Sequence, residues 1–251
     1  MSGLSGGPAV GSLPDVMSAA VYQSPGVVTV EERPVPRPRP DQLVVRVHAC
    51  GICGSDIHQL RDGWGFVSGR VAGHEWSGTI AAVGEGVTDW SVGELVVGGP
   101  SPRCGTCRRC REGKPSQCEN RSTSVNDWFD GAFAEYVVCH ARSALRLPDG
   151  LSPRHAALAE PLSVALHGIT RSGVVPGQRV MVFGAGPIGA LSVAALHAMG
   201  IDDITVVEPQ EGRRKLAAEL GATSVVDPAE LEVFVPWEPE KLSSRAVDVV
   251  L

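Results

Sequence analysis

Four cysteines crowd the stretch CGTCRRCREGKPSQC: Cys104, Cys107, Cys110 and Cys118, spaced C-x2-C-x2-C-x7-C. Four thiolates this close in sequence can wrap one tetrahedral Zn²⁺ in a closed structural site. Such a centre carries a net charge near −2, and Arg103, Arg108, Arg109, Arg111 and Lys114 in the same stretch are expected to offset it. The pattern C-x2-C-x2-C also serves iron–sulfur clusters, but the third gap is x7 and no second cluster motif follows, which favours zinc. A zinc module that grips nucleic acid is a further reading. The local arginines suit it; the net charge of −6 and the lack of aromatic platforms do not.

A second set of metal-ligating residue types is dispersed. HACGICGSDIH holds Cys50 and Cys53, AGHEWSG holds His74 and Glu75, and AEPLSVALHG holds Glu160. One thiolate, one imidazole and one carboxylate make a three-ligand site that leaves a position open for water or substrate. Each has a plainer explanation when taken singly, since a histidine beside a strand is commonly a packing residue. The C-x-x-C pair raises a redox alternative. A redox dithiol belongs at a helix N-terminus, with both thiols serving one disulfide. Here the segment follows a strand, so Cys53 is assigned to the metal and Cys50 to the strand interior.

The third signal is VFGAGPIGALSV, in which Gly184, Gly186 and Gly189 form G-x-G-x-x-G around Pro187 and Ile188. It follows an apolar run and opens a helical pattern, the context that makes this motif a dinucleotide site. The first glycine allows a tight turn, the second lets backbone approach a pyrophosphate, and the third lets helix pack on strand. Glu208 stands roughly 20 residues beyond, where a carboxylate accepts ribose hydroxyls and repels a 2′-phosphate, favouring NAD over NADP. Arg213 and Arg214 nearby are the residues that could hold that phosphate instead.

The rest of the chain must position these groups. After PAVGSLPDV the pattern is rich in short β-branched runs, LVVRVHAC, WSGTIAAVG, GELVVGG and GAFAEYVVC, bounded by Pro, Gly and Asp. RPVPRPRPDQ cannot be a central strand. This half reads as a partly open barrel of short strands. From Pro153 the texture alternates: a helix on either side of Pro161, a buried strand over Arg179–Phe183 without alternation, a helix over Pro187–Met199 stopped by Gly200, the strand DITVVE, a helix ended by Gly221, then TSVVD and AVDVVL. Strand and helix in alternation make a parallel doubly wound sheet. The expected organisation is a flexible tail over 1–16, a β-rich domain over 17–152 and a dinucleotide-binding domain over 153–251. That last domain reads as truncated after its fourth strand, since a complete one has six. No apolar run reaches bilayer length and the N-terminus lacks a signal-peptide pattern, so a cytoplasmic, reducing setting is expected, without membrane or nucleic-acid partners.

GHE, a cysteine some twenty residues before it, a four-cysteine loop and a later GxGxxG together resemble the zinc-containing medium-chain alcohol dehydrogenases. CGSDIH, GHE and EPLSVALHG are closest in wording to the sorbitol, threonine and polyol dehydrogenase branch. The resemblance runs from about Met17 to Leu251. It implies a GroES-like catalytic domain joined to a Rossmann domain, and two Zn²⁺ per chain. Cys53 and His74 would be catalytic zinc ligands, with Glu160 or Glu75 as the third. Ser55 would take the substrate proton and His58 would end its relay. Cys104, Cys107, Cys110 and Cys118 would hold the structural zinc. The implied reaction is hydride transfer between NAD and a secondary alcohol, polyol or amino alcohol, or its ketone in reverse, by a homodimer or tetramer. Zinc would act on the alcohol oxygen as a Lewis acid while Ser55 and His58 carry the proton away. The alternative is a non-catalytic zinc- and nucleotide-binding relative, or a fragment inactive through truncation; alcohol-dependent NADH formation separates them. Gln59, Trp64, Phe66 and Asn126 are candidate pocket residues.

Overall fold

A computed structural model of the protein describes residues 13–63, 65, 67–99, 104, 106–114, 117–120, 131–230 and 247–251. The chain divides into two compact units, Met1–Glu160 and Pro161–Leu251. Of the candidate pocket residues, Trp64, Phe66 and Asn126 lie outside the described residues, as does Arg103.

Among the described residues the first unit holds the strands β1 (Val16–Ser24), β2 (Val27–Pro34), β3 (Gln42–Gly51), β4 (Arg70–Val71), β5 (Glu75–Val83), β6 (Leu95–Gly98), β7 (Tyr136–His140) and β8 (Ala144–Arg146). Short helices α1 (Gly54–Asp62) and α2 (Arg108–Arg111) lie between them, and α3 (Pro153–Ala156) follows β8. Strands β2-β1-β4 make one antiparallel sheet and β7-β3-β5-β6-β8 another. The proline-rich run begins where β2 ends, on an edge strand, as a residue without a ladder N–H requires. The larger sheet closes over Leu43, Val45, Trp76, Ile80, Val96 and Val137, each at most 1% exposed.

The pairing of β3 with β5 positions the chemistry. Its register shifts twice, at Val44/Val45 and at Val47/Ala49. A bulge bends a strand and re-aims the side chains beyond it, and the second one immediately precedes Cys50 and Gly51. There Cys50 faces Trp76 and Gly51 faces Glu75. The strand does not simply run out into a loop. Cys53 caps the N-terminus of α1, which stops at Gly63 in a left-handed conformation, φ 70°. Sequence reading finds no helix here because GSDIHQLRD has few apolar residues to set a period.

Helix α4 (Ala159–Ser172) crosses the division between units, with Pro161 in its first turn, where a missing N–H costs nothing. The second unit then runs β9 (Arg179–Phe183), α5 (Pro187–Ala198), β10 (Asp203–Val207), α6 (Glu211–Glu219), β11 (Ser224–Val226) and β12 (Val249–Val250). All neighbours are parallel, in the order β11-β10-β9-β12. The chain order therefore reverses beside β9, which places a topological switch point at its C-terminal end. Val180, Val182, Val193, Leu196, Ile204 and Val206 form the core of this unit. Strand β9 departs from the expected uniform burial: Val180 and Val182 are buried, while Phe183 is 56% exposed.

Trp76 on β5 lies opposite Gly98 on β6, and a Cβ on Gly98 would overlap the indole ring. Gly98→Ala is therefore expected to destabilise the first unit by about 1–3 kcal/mol. Denaturant unfolding followed by tryptophan fluorescence measures it, and an unchanged midpoint would contradict the packing described.

Candidate metal and nucleotide sites

The sulfurs of Cys104, Cys107, Cys110 and Cys118 all lie within 4.8 Å of one another. Thiolates about 2.3 Å from a tetrahedral Zn²⁺ sit about 3.8 Å apart. The Cys104–Cys110 and Cys107–Cys118 sulfurs are 4.0 and 3.9 Å apart, so the cradle fits zinc. The hydrogen bonds onto sulfur that stabilise it come from amides. Thr106 and Cys107 N–H donate to Cys104 Sγ, Cys110 and Glu119 N–H to Cys107 Sγ, and Cys104 N–H to Cys118 Sγ. Asn120 adds its side-chain amide. The Thr106 side chain, the largest contributor, and then the Cys107 and Thr106 N–H groups pull the Cys104 thiol down to about 5. Arg108, Arg109 and Lys114 pair with Glu112, and Arg108 also with Glu119, so three cations share two carboxylates beside the tetrad.

Cys53, His74 and Glu75 form a second cluster with ligand atoms within 4.8 Å. A helix cap supplies the thiolate, and the start of β5 supplies the other two. Glu75 is buried, and its space exists because position 51 is glycine: a Cβ there would collide with the Glu75 carboxylate. One thiolate, one imidazole and one buried carboxylate suit a three-ligand zinc site. Glu160 stands outside this cluster among the described residues. It is near enough to sense the charges of His74, Glu75 and Asp56, while burial raises its pKa. Cys50 does not join. Burial pushes its thiol up to about 12, and Gly73 packs so close that a Cβ there would touch the sulfur. Although Cys53 does stand at a helix N-terminus, a partner held protonated is a poor half of a redox dithiol.

Asp56 is the residue that sequence reading missed. It is 3% exposed, the most buried acid of the first unit among those described. One carboxylate oxygen accepts the Cys53 N–H at 2.9 Å and the other pairs with His74 Nδ1 across 3.6 Å. The Tyr22 hydroxyl donates to the Asp56 carbonyl. Asp56 raises the His74 pKa to about 9 against the opposing effect of burial. Facing Nδ1 toward a carboxylate leaves Nε2 for a metal, the usual support for a histidine ligand. Three-residue spacing after an N-cap was the signal available: an acid there reaches back to the cap amide. Ser55 and His58 lie three apart on α1 and so share a face. His58 Nδ1 bonds Asp62 at 2.7 Å, and Arg61 then His58 hold that carboxyl well below the usual range. Gln59 is half-buried on the same helix.

In the second unit the glycines do what their spacing requires. Gly184 has φ +90°. Gly186 caps α5 with Pro187 as first residue, and a Cβ on it would meet open space. A Cβ on Gly189 would strike the Gly184 carbonyl. The helix thus starts with its free N–H groups toward the end of β9, a ready anion site. Ile188 is 42% exposed in the first turn of α5. Glu208, 2% exposed, accepts the Ala185 N–H of this loop and the Gln210 N–H, each at 2.8 Å, and both lower its pKa.

Residues 39–149 match the alcohol dehydrogenase GroES-like domain. The chain is 36% identical to the sorbitol dehydrogenase of Bacillus subtilis (strain 168) over 220 residues, 86% of this chain and 62% of that protein. A proposed zinc-binding dehydrogenase of Sinorhizobium meliloti 1021, solved bound to NADP, is 35% identical with a TM-score of 0.83, over 94% of this chain and 69% of its own. This chain belongs to the zinc-containing medium-chain alcohol and polyol dehydrogenase family. Another structure similar to this family member is the 2R,3R-butanediol dehydrogenase of Bacillus subtilis, 33% identical with a TM-score of 0.79, over 93% of this chain and 69% of its own. The chain spans less than two thirds of the length of the sorbitol dehydrogenase. Among the described residues, no helix is long and apolar enough to cross a membrane.

Asp56→Asn is expected to weaken zinc binding at the Cys53 cluster about 10- to 100-fold and to spare the cysteine tetrad. Metal analysis after dialysis against a graded chelator series reads the two sites separately. Equal loss of both metals would show that Asp56 supports the unit in general and not this site.

Proposed function

We propose that the protein is an NAD-linked, zinc-dependent dehydrogenase of a secondary alcohol, polyol or amino alcohol, reducing the ketone in reverse. The observation that carries this reading is the convergence of Cys53, His74 and Glu75 within 4.8 Å, with Ser55 and His58 on the helix that Cys53 caps. Cys53, His74 and Glu75 would hold the catalytic zinc, with Glu75 as third ligand because it lies in the cluster and Glu160 does not. When bound, the ion would supply a Lewis acid that makes the alcohol proton easier to remove. Ser55 is the group for taking that proton. His58, 58% exposed and bonded through Nδ1 to Asp62, can hand it to solvent through its other nitrogen. The tetrad of Cys104, Cys107, Cys110 and Cys118 would hold a structural zinc, since its four positions are all filled by thiols.

The nucleotide half of the reading rests on the loop after β9. Gly184, Gly186 and Gly189, with Pro187 and Ile188, would receive the pyrophosphate at the start of α5. Glu208 would take the ribose hydroxyls and favour NAD, because a buried carboxylate held ionised by two amides repels a 2′-phosphate. Relatives of known activity in this family are named for sorbitol, D-xylulose and butanediol, which supports small polyols as the first substrates to test.

NADH formation against sorbitol, xylitol, butanediol, threonine and simple alcohols tests the reading directly. Cys53→Ser is expected to cut turnover at least 100-fold while leaving NAD affinity within about twofold, since the two sites use different residues. Turnover that survives Cys53→Ser, or a zinc-loaded protein that reduces no NAD with any of these substrates, would overturn it. A paired comparison separates the two acids: Glu75→Gln is expected to lower catalytic zinc content, and Glu160→Gln to leave it in place.

A further inference from the structure

The turn that carries Glu208 is held by a residue with no part in the proposed chemistry. Arg214, on α6, directs one nitrogen, Nη1, onto three oxygens: the carbonyls of Glu208 and Pro209, each at 2.7 Å, and Asp227 Oδ2 at 2.9 Å. Asp227 follows β11, and its other oxygen accepts the Ala229 N–H. The Glu208 N–H in turn donates to the Val226 carbonyl. Arg214 therefore closes a clasp between the end of β10 and the end of β11. Its side chain is only 20% exposed, and that of its carboxylate partner 27%.

The two adjacent arginines thus do different work. Arg213 is 50% exposed and 4.0 Å from Glu208 Oε2, and no described hydrogen bond ties its guanidinium. Arg214 is turned inward, with its charge matched by Asp227 and its Nη1 spent on two backbone carbonyls. A cation paired in this way has less charge to offer a 2′-phosphate than Arg213. It holds instead the carbonyls of two successive peptides, Glu208–Pro209 and Pro209–Gln210, and so the backbone from which the Glu208 side chain extends.

We propose that Arg214, clasped to Asp227, is a positioning residue for cofactor selection: it holds the Glu208 turn so that the carboxylate accepts ribose hydroxyls and excludes a 2′-phosphate. The inference rests on Glu208 as the ribose-recognising group. Discrimination by a carboxylate depends on its place more than on its charge, because a carboxylate free to swing aside lets a phosphate in. Loosening the clasp then costs NAD binding, which uses the fixed geometry. NADP loses less, since it never gained from Glu208 and can still approach Arg213.

Calorimetric titration of the zinc-loaded protein with NAD and with NADP tests this. Arg214→Ala is expected to weaken NAD binding roughly tenfold, the scale of a lost charge-assisted hydrogen bond, and NADP binding less than threefold, so that the preference shrinks. Arg214→Lys, which keeps a cation and donors on a long stem, is expected to restore most of it. A residue that merely stabilised the unit would weaken both nucleotides alike or neither, and an unchanged NAD:NADP ratio would overturn the proposal. Asp227→Asn keeps one acceptor oxygen and removes the charge and the second acceptor, so it reads the same ratio in a gentler variant should Arg214→Ala not fold. A shrunken ratio supports the clasp and an unchanged one refutes it. If the unsubstituted protein binds neither nucleotide, or prefers NADP, the Glu208 reading falls and this inference with it. If it prefers NAD and Arg214→Ala prefers NAD equally, only the role of Arg214 falls.

Discussion

The β3–β5 register is the constraint on which the first unit's chemistry depends. It sets Gly51 opposite Glu75, and the missing side chain of one is the space filled by the carboxylate of the other. His74 precedes Glu75 and Cys53 follows Gly51 by two residues, so one ladder rung delivers all three groups. Side chains alternate along a strand, and a slip of one residue would turn Glu75 to the opposite face and dissolve the cluster. The bulge at Val47/Ala49 sets that phase, and Trp76 locks it, because its indole fits only where Gly98 leaves room.

The two cysteine-bearing sites illustrate opposite uses of the same ligand. In the tetrad, amide N–H groups point at sulfur from several sides, so negative charge is dispersed locally and no fourth position is left open. In the Cys53 cluster a single thiolate would share an ion with an imidazole and an acid, which would keep the site close to neutral and leave room for a further ligand. Cys50 sits only three residues from Cys53 and is excluded from both roles by burial.

The sequence made contiguous motifs legible and left long-range partners hidden. The tetrad, the glycine loop and the GHE triplet each announce their chemistry through spacing. The doubly wound order of the second unit followed from alternation of strand and helix. Asp56 was overlooked although it lies inside CGSDIH, because its importance comes from His74 and Tyr22, which adjoin it only in the folded chain. Arg214 and Asp227 are thirteen positions apart and meet only because β10 and β11 are parallel neighbours. Helix α1 was invisible because its buried face consists of a single aspartate, not of an apolar stripe.

That aspartate has a bearing on how an ion would enter. Its bond to the Cys53 amide sets the beginning of α1 through groups of the chain alone, and its contact with His74 orients the imidazole in the same way. The cradle is in this sense assembled during folding, and the conformational entropy of bringing its walls together is spent then. Loading would then ask less of the backbone, because Asp56 already ties the segments that bear Cys53 and His74. The pace of loading and release would then follow the chemistry of bond making at three side chains, independent of any slow rearrangement of the fold.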